Sequence, residues 1–444
     1  MSENGPSQDS GHAAYTLFVL LLAYILSFID RNVMAVLIGP IRQDFAINDT
    51  QFGLLHGLAF ALLYTSVGLP IARLADTKSR RNIITLGVFF WSLMTCWCGV
   101  AKSFGGLFFA RMGVGLGEAA LSPPAWSMVA DLFSPRRLPI AMSLLTMGVP
   151  IGAGMAFIVG GWVYGYFIAA DPVILPIVGQ LGAWQLTFIA VGIPGFLVVL
   201  LLLPIREPIR MGKLQSAGEV DPPQLSIPEV LAYVKSRKQL YGAIFGSISL
   251  LTILGYATMT WYLESMIRSF GAEREVLGPQ MGQMFIVAGI AGALSGGWFA
   301  SYLQNNGYRD ANMRIIVIAA ILWIIPGVLA PLAPNAEIGL WAISPVLFLL
   351  SSYIGVAIAG LQLVTPNQMR SQLSAVLVLT TNLVGLGLGP VIVGFFTDFV
   401  FGNEAHLRYS LSLLAAIACP LAAIWAGVGL KYYRAALEEA QVRI

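Results

Sequence analysis

Charge is what this sequence has least of: 11% of its 444 residues are Asp, Glu, Lys or Arg, where a soluble chain carries roughly a quarter. That scarcity excludes a soluble globular protein of this length. Cysteine is scarcer still, at three residues. Cys96, Cys98 and Cys419 all fall in apolar runs, which argues against a disulfide framework or a zinc site and leaves them as small hydrophobes. Histidines are few and scattered, and no HExxH, GxSxG or Walker-type loop occurs, so a membrane enzyme acting on lipids has no visible machinery. The N-terminal stretch before Tyr15 lacks Lys and Arg, and the apolar run after it is long enough to stay in a bilayer. No cleavable signal peptide is therefore expected.

What is present is long uncharged sequence, 57% apolar overall with a mean hydropathy of +0.78. Runs such as 83–101, 315–333 and 371–397 reach the ~18–20 residues that cross a bilayer as a helix. Lipid cannot satisfy exposed backbone groups, so these runs must be helical. The expected fold is an all-α membrane protein of twelve spans. They run near 15–38, 50–74, 82–101, 105–130, 137–168, 181–204, 239–263, 279–303, 313–333, 338–364, 371–399 and 408–431.

An even number of spans puts both termini on one side. That side carries Arg73, Lys78, Arg80, Arg81, Arg136, Arg137, Arg206, Arg210, Lys213, Lys235, Arg237, Lys238, Arg309, Arg314, Arg370, Lys431, Arg434 and Arg443, whereas the other holds only Arg42, Lys102, Arg268, Arg274 and Arg408. The excess predicts cytoplasmic termini. The longest hydrophilic segment follows the sixth span. The expected organisation is a tail at 1–14, a six-helix bundle at 15–204 and a linker at 205–238 in which 227–240 can form an interfacial amphipathic helix. A second six-helix bundle at 239–431 and a tail at 432–444 complete it. The halves echo each other: 68–81 with 296–309, and the Gly/Pro run around Pro150 with that around Pro390. Two parallel repeats explain this, and they place a substrate site between them near the midplane.

Four ionisable residues lie well inside predicted spans: Asp30, Arg31, Arg111 and Glu118. One charge at the bilayer centre costs ~2.5–3.5 kcal/mol on insertion scales, so these must pair, face water or work. Arg111 and Glu118 are two turns apart and share a face, about 10 Å from each other. Gly113, Gly115 and Gly117 thin the helix between them, so that a neighbouring helix or a ligand can approach. Asp30 and Arg31, adjacent in sequence, diverge by about 100° and cannot point at one spot. Two readings compete for this group: a static network pinning span one to span four, or a coupling site. In the second, Asp30 and Glu118 respond to protons, Arg111 receives an anionic head group, and Arg31 assists. His56 reads as an interfacial or pocket histidine and only secondarily as a relay. Asn48 reads as the N-cap of span two rather than a glycosylation acceptor.

The loop from Ala72 to Arg81 resembles the signature between the second and third helices of the major facilitator superfamily. Asp76, Arg80 and Arg81 match it, while Ala72 and Ser79 stand where glycines are usual. Within that superfamily the stretches Phe28-Ile-Asp-Arg-Asn32, Arg111 to Ala120, Ser122-Pro-Pro and Asp131-Leu-Phe-Ser-Pro-Arg-Arg137 resemble spinster-type transporters. The resemblance covers essentially the whole chain and implies twelve helices in two bundles. It also implies a cytoplasmic gate of Asp76, Arg80, Arg81, Asp131, Arg136 and Arg137, and transport of sphingosine 1-phosphate or lysophospholipids coupled to protons. No cofactor is implied beyond a proton gradient as energy source. A monomer in a bacterial inner membrane is expected, with no nucleic-acid partner.

The second half carries no charge deep in a span. Its candidate cavity lining is Tyr256, Met259, Trp261, Tyr353, Gln362, Thr380, Thr381 and Asn382. A charged wall facing a greasy one suits an amphiphile. The alternatives are a proton-linked carrier of drugs or organic anions and, in another class, an uncoupled lipid-flipping protein or receptor.

Overall fold

A computed structural model describes residues 10–134, 137–169, 173–175, 179–210, 227–366 and 369–442. Among them the chain is helical except for one short β-ladder. The first helices are α1 (Ser10–Val36), α2 (Ile38–Phe45), α3 (Asp49–Gly53), α4 (Ala59–Thr77), α5 (Arg80–Cys98), α6 (Phe104–Glu118), α7 (Ser122–Leu132), α8 (Leu138–Thr146), α9 (Gly148–Ile168) and α10 (Ala183–Leu202). Strands β1 (Val173–Leu175) and β2 (Gly179–Leu181) pair antiparallel, Ile174 opposite Gln180, just before α10. Then come α11 (Ile227–Ser236), α12 (Lys238–Phe270), α13 (Arg274–Asn305), α14 (Ala311–Leu329), α15 (Ala336–Ala342), α16 (Ser344–Ser352), α17 (Ile354–Val364), α18 (Arg370–Thr380), α19 (Gly387–Phe395) and α20 (Leu407–Val442).

Among the described residues, ten helical stretches are long and apolar enough to cross a membrane. The third and fourth expected spans are α5 and the pair α6–α7. The first carries Arg80 and Arg81 on its opening turn. The fourth is broken between Glu118 and Ser122, where Pro123 and Pro124 occupy the first turn of α7. Proline is tolerated there because its missing N–H has no helical partner in any case. The amphipathic helix expected near 227–240 begins as α11. The last helix runs on to Val442, past the expected span end. Asn48 does cap span two: its side chain accepts from the Gln51 backbone amide, and its own backbone amide donates to the Gln51 side-chain oxygen.

The chain forms two compact units. One comprises Met1–Ile47, Leu58–Leu214 and Glu273–Ile286; the other comprises Asn48–Gly57, Gln215–Ala272 and Val287–Ile444. In the first, α6 lies on α4 and α5, α5 on α10, and α1 on α9. In the second, α20 packs along α12 and α14, and α3 lies on α19. Ordinary leucines such as Leu86 and Leu197 are more than half exposed, as helices that present apolar side chains to lipid require. The core of each unit keeps the large rings, with Trp91 and Phe157 in the first and Trp261 and Trp323 in the second.

Candidate functional site

The four intramembrane charges gather where α1 and α6 meet. Ser27, Asp30 and Arg31 project from that helix, and Arg111 and Glu118 meet them from α6, two turns apart as their spacing requires. All four are buried, none more than 4% exposed. Arg31 Nη2 donates to Glu118 Oε2 at 2.7 Å, and the Ser27 hydroxyl donates to the same oxygen at 2.7 Å. The other oxygen, Oε1, has no hydrogen-bond partner.

Arg31 is also boxed by rings. Its guanidinium carbon lies 4.7 Å from the Phe28 centroid, 4.6 Å from Phe60 and 5.0 Å from Tyr64. Each such contact contributes ~0.5–2 kcal/mol when desolvated. Arg111 does different work. Its Nη1 and Nη2 donate to the carbonyls of Asp30 and Arg31 at 3.0 and 3.2 Å, so it clamps the backbone of α1. The Asp30 side chain turns to the other side, toward Trp91 and Thr95 of α5. Its Oδ1 sits beside Trp91 Nε1 and Thr95 Oγ1, close enough to interact but with no hydrogen bond of regular geometry among them, and Ser92 Oγ is likewise without a regular bond. Most buried polar atoms in folded proteins are satisfied, which sets this group apart from the rest of the first unit's core.

The glycines of α6 bring this about. A Cβ on Gly115 would strike the Phe60 carbonyl, and one on Gly117 would lie 2.7 Å from the Trp91 backbone nitrogen. It is neighbouring helices, α4 and α5, that occupy the thinned face.

A second cluster lies at the ends of the spans on the side of the termini. Arg80, 1% exposed, donates through Nε to Glu207 Oε1 at 2.8 Å and through Nη1 to Ser127 at 2.8 Å and to Asp131 Oδ2; Nη2 donates to the Pro208 carbonyl at 3.0 Å. Glu207 Oε2 accepts from the Ser79 hydroxyl and the Arg81 amide, at 2.8 and 3.0 Å. Burial acts to raise the Glu207 carboxyl, but the bonds from Arg80, Arg81 and Ser79 outweigh it and hold it below the ordinary carboxylate range. Arg81 Nη1 donates to the Leu203 carbonyl at 2.7 Å. Arg137 is exposed. The side chain of Asp76 and all of Arg136 lie outside the described residues.

The sequence reading missed Glu207. An acid standing between Arg206 and Pro208, just past the last apolar residue of span six, was its only signal.

The remaining candidates lie in the second unit and do not form one cluster. Trp261 and Tyr353 are fully buried. Trp261 Nε1 donates to the Pro390 carbonyl at 2.9 Å, and the Tyr353 hydroxyl lies 3.4 Å from Thr252 Oγ1. Thr380 donates back to the Val376 carbonyl at 2.7 Å. Tyr256 and Asn382 are half-buried, and Gln362 is exposed.

The sequence pattern of the Major Facilitator Superfamily matches residues 20–390. The chain is 25% identical to an MFS-type efflux pump of Mycolicibacterium smegmatis over 95% of its length and 94% of the relative's. It is 24% identical to spinster homolog 1 of Xenopus tropicalis, over 91% of this chain and 78% of that one. Among solved structures, a bacterial homolog of the human lysosomal transporter Spinster, inward-facing and unoccupied, superposes with a TM-score of 0.76 at 25% identity. That match covers 96% of this chain and 97% of the other.

Proposed function

This chain belongs to the major facilitator superfamily and is a transporter of the spinster type rather than an enzyme, and on that premise we propose that it moves an amphiphilic, lipid-like substrate by alternating access, coupled to protons. The observation that carries the reading is the Arg31–Glu118 pair. Two anions, the Glu118 carboxylate and a substrate head group, compete for one guanidinium that the rings keep in place. A proton can add to Glu118 Oε1 without breaking a bond, since that oxygen makes none. Once neutral, Glu118 keeps a hydrogen bond from the Arg31 cation but loses the attraction between two opposite charges, so an anionic phosphate, which still offers a bidentate charged pair, can take Arg31 from it. Asp30 Oδ1, next to Arg31 on α1, serves in this reading as a second proton acceptor. Arg111, expected to receive the head group, serves in this reading to fix α1 so that Asp30 and Arg31 keep their divergent directions.

The resemblance to spinster-type transporters implies a lysophospholipid or sphingosine 1-phosphate as the class of cargo. The chain works in this reading as a monomer in a bacterial inner membrane with cytoplasmic termini. The test is flux in proteoliposomes with an imposed pH gradient, lysophospholipid against sphingosine 1-phosphate, for the wild type, Glu118→Gln and Asp30→Asn. Gradient-driven lipid flux that both variants abolish is the expected result; flux indifferent to the gradient and to both substitutions overturns it. The near full-length likeness to an efflux pump favours a second cargo class, small organic drugs, and a fluorescent drug in the same liposomes separates the two.

A further inference from the structure

An arginine cluster of the second unit gathers where α14 begins and α20 ends, on the side of the termini. Gly307, at a φ of 87°, turns the chain out of α13 and brings Asp310 to the head of α14. An aspartate there ordinarily caps the helix, its carboxylate accepting from the first free amides. Asp310 makes no such bond. Its oxygens go to two arginines instead: Oδ1 accepts from Arg314 Nε and Oδ2 from Arg434 Nε, both at 2.6 Å. Burial acts to raise the Asp310 carboxyl, but these bonds outweigh it and hold it below the ordinary carboxylate range. Two guanidiniums therefore lean on one ionised carboxylate, which leaves a positive charge over.

Each arginine uses only Nε on Asp310. Among the described residues, neither Arg314 nor Arg434 makes a hydrogen bond through Nη1 or Nη2. Their side chains are 33% and 51% exposed, while that of Asp310 is 4% exposed. The Arg314 guanidinium is steadied by Tyr308, whose ring centroid lies 4.6 Å from it. A cleft of about 220 Å³ opens here, lined by Tyr308, Arg309, Asp310, Arg314, Arg434 and Leu437. Glu438 also lines it, one turn on from Arg434, yet bonds to neither arginine. A glutamate that follows its cation along a helix is in the weaker order for such a pair.

Planar guanidiniums offer paired donors that fit phosphate oxygens, and such charge-assisted bonds are the strong ones. The cleft also lies at the depth of lipid phosphates. The apolar run of α14 starts at Ala311, and Arg434 follows the expected end of span twelve by a single turn. Basic pockets between helix ends at that level take anionic head groups. We propose that Arg314 and Arg434, set in place by Asp310, form a phosphate-binding site that clasps the ends of α14 and α20, its occupant being the head group of an anionic phospholipid or free phosphate. None of these residues belongs to the Asp30–Glu118 group, and the site depends on neither the cargo nor the protons of the proposed function.

Native mass spectrometry of the full chain in detergent tests it, with phosphatidylglycerol, phosphatidylcholine and inorganic phosphate titrated separately. The expected result is saturable phosphatidylglycerol binding, weakened about thirtyfold in Arg314→Gln with Arg434→Gln, or roughly fivefold per arginine. Phosphatidylcholine should bind more weakly, because its choline cation meets the arginines. Leu437→Glu is the second variant. It leaves Asp310 and its two arginines in place and sets a rival carboxylate in the cleft, so it should weaken binding by about fivefold. Inorganic phosphate that binds and is lost in the same variants would support the site with free phosphate as its occupant. Binding of no ligand to the wild type overturns the proposal, as does equal binding of the two lipids. Phosphatidylglycerol or phosphate binding that Leu437→Glu leaves unchanged overturns it too, and a lipid held at the Arg31–Glu118 pair would give that result.

Discussion

Glu118→Gln keeps the shape of the side chain and removes its charge, leaving Arg31 among rings with no anion at 2.7 Å. Breaking a buried pair from one side costs about 3–5 kcal/mol. The pair qualifies as buried, with side-chain exposures of 5% and 0%. The contacts to Phe28, Phe60 and Tyr64 survive the substitution and offset part of the loss, so the lower end of that range, ~3 kcal/mol, is expected. Arg31→Met should cost a similar amount by stranding Glu118. The double variant removes both charges, so its cost should fall short of the sum by about 2–4 kcal/mol. Equilibrium unfolding in bicelles by steric trapping reads all four corners of the cycle. Strict additivity would refute the claim that the two groups depend on each other, and with it the competition for Arg31. A transport signature accompanies the energy: Glu118→Gln, fixed in the neutral form, should lose gradient-driven uptake while retaining lipid exchange across the vesicle wall.

Gly115→Ala should destabilise the first unit by about 1–3 kcal/mol, because its Cβ meets the Phe60 carbonyl, which has no freedom to retreat; thermal unfolding checks this, and an unchanged Tm would mean that α4 and α6 separate at no cost. The Glu207 carboxyl is held below its ordinary value of 4.5. Its depressed pKa contributes stability that is complete above that value and is lost as pH falls through the folded-state pKa. Amide exchange of 79–83 should therefore accelerate on acidification in the wild type and show a flatter pH profile in Glu207→Gln, with the difference vanishing at the acid end.

Much of the candidate site was legible one residue at a time. Asp30, Arg31, Arg111 and Glu118 announced themselves because a charge in an uncharged run must find a partner or face water. The seven-residue spacing of Arg111 and Glu118 placed both against α1. The divergence of Asp30 and Arg31 also followed from their adjacency, one turning to Trp91 and Thr95 and the other to Glu118. Which arginine holds the carboxylate was not legible, because sequence distance carries no direction across helices. Arg80 was found through its motif, but its partner Glu207 is separated from it by 127 positions and looks like any loop acid. Asp310, Arg314 and Arg434 fell at span ends, where charges are ordinary.

The sequence by itself determined that the chain is helical and spans a membrane, since the bilayer's refusal to hydrogen-bond backbone groups leaves a long apolar run no other form. It determined as well which buried charges needed company. Tertiary structure alone decided who keeps that company: Glu118 with Arg31, Arg111 with two backbone carbonyls, and Asp310 with an arginine 124 residues away. The reason is geometric. Hydropathy is a property summed along a chain and survives without coordinates. A hydrogen bond requires two atoms within about 3 Å, and only the packing of glycine-thinned helices brings those atoms together.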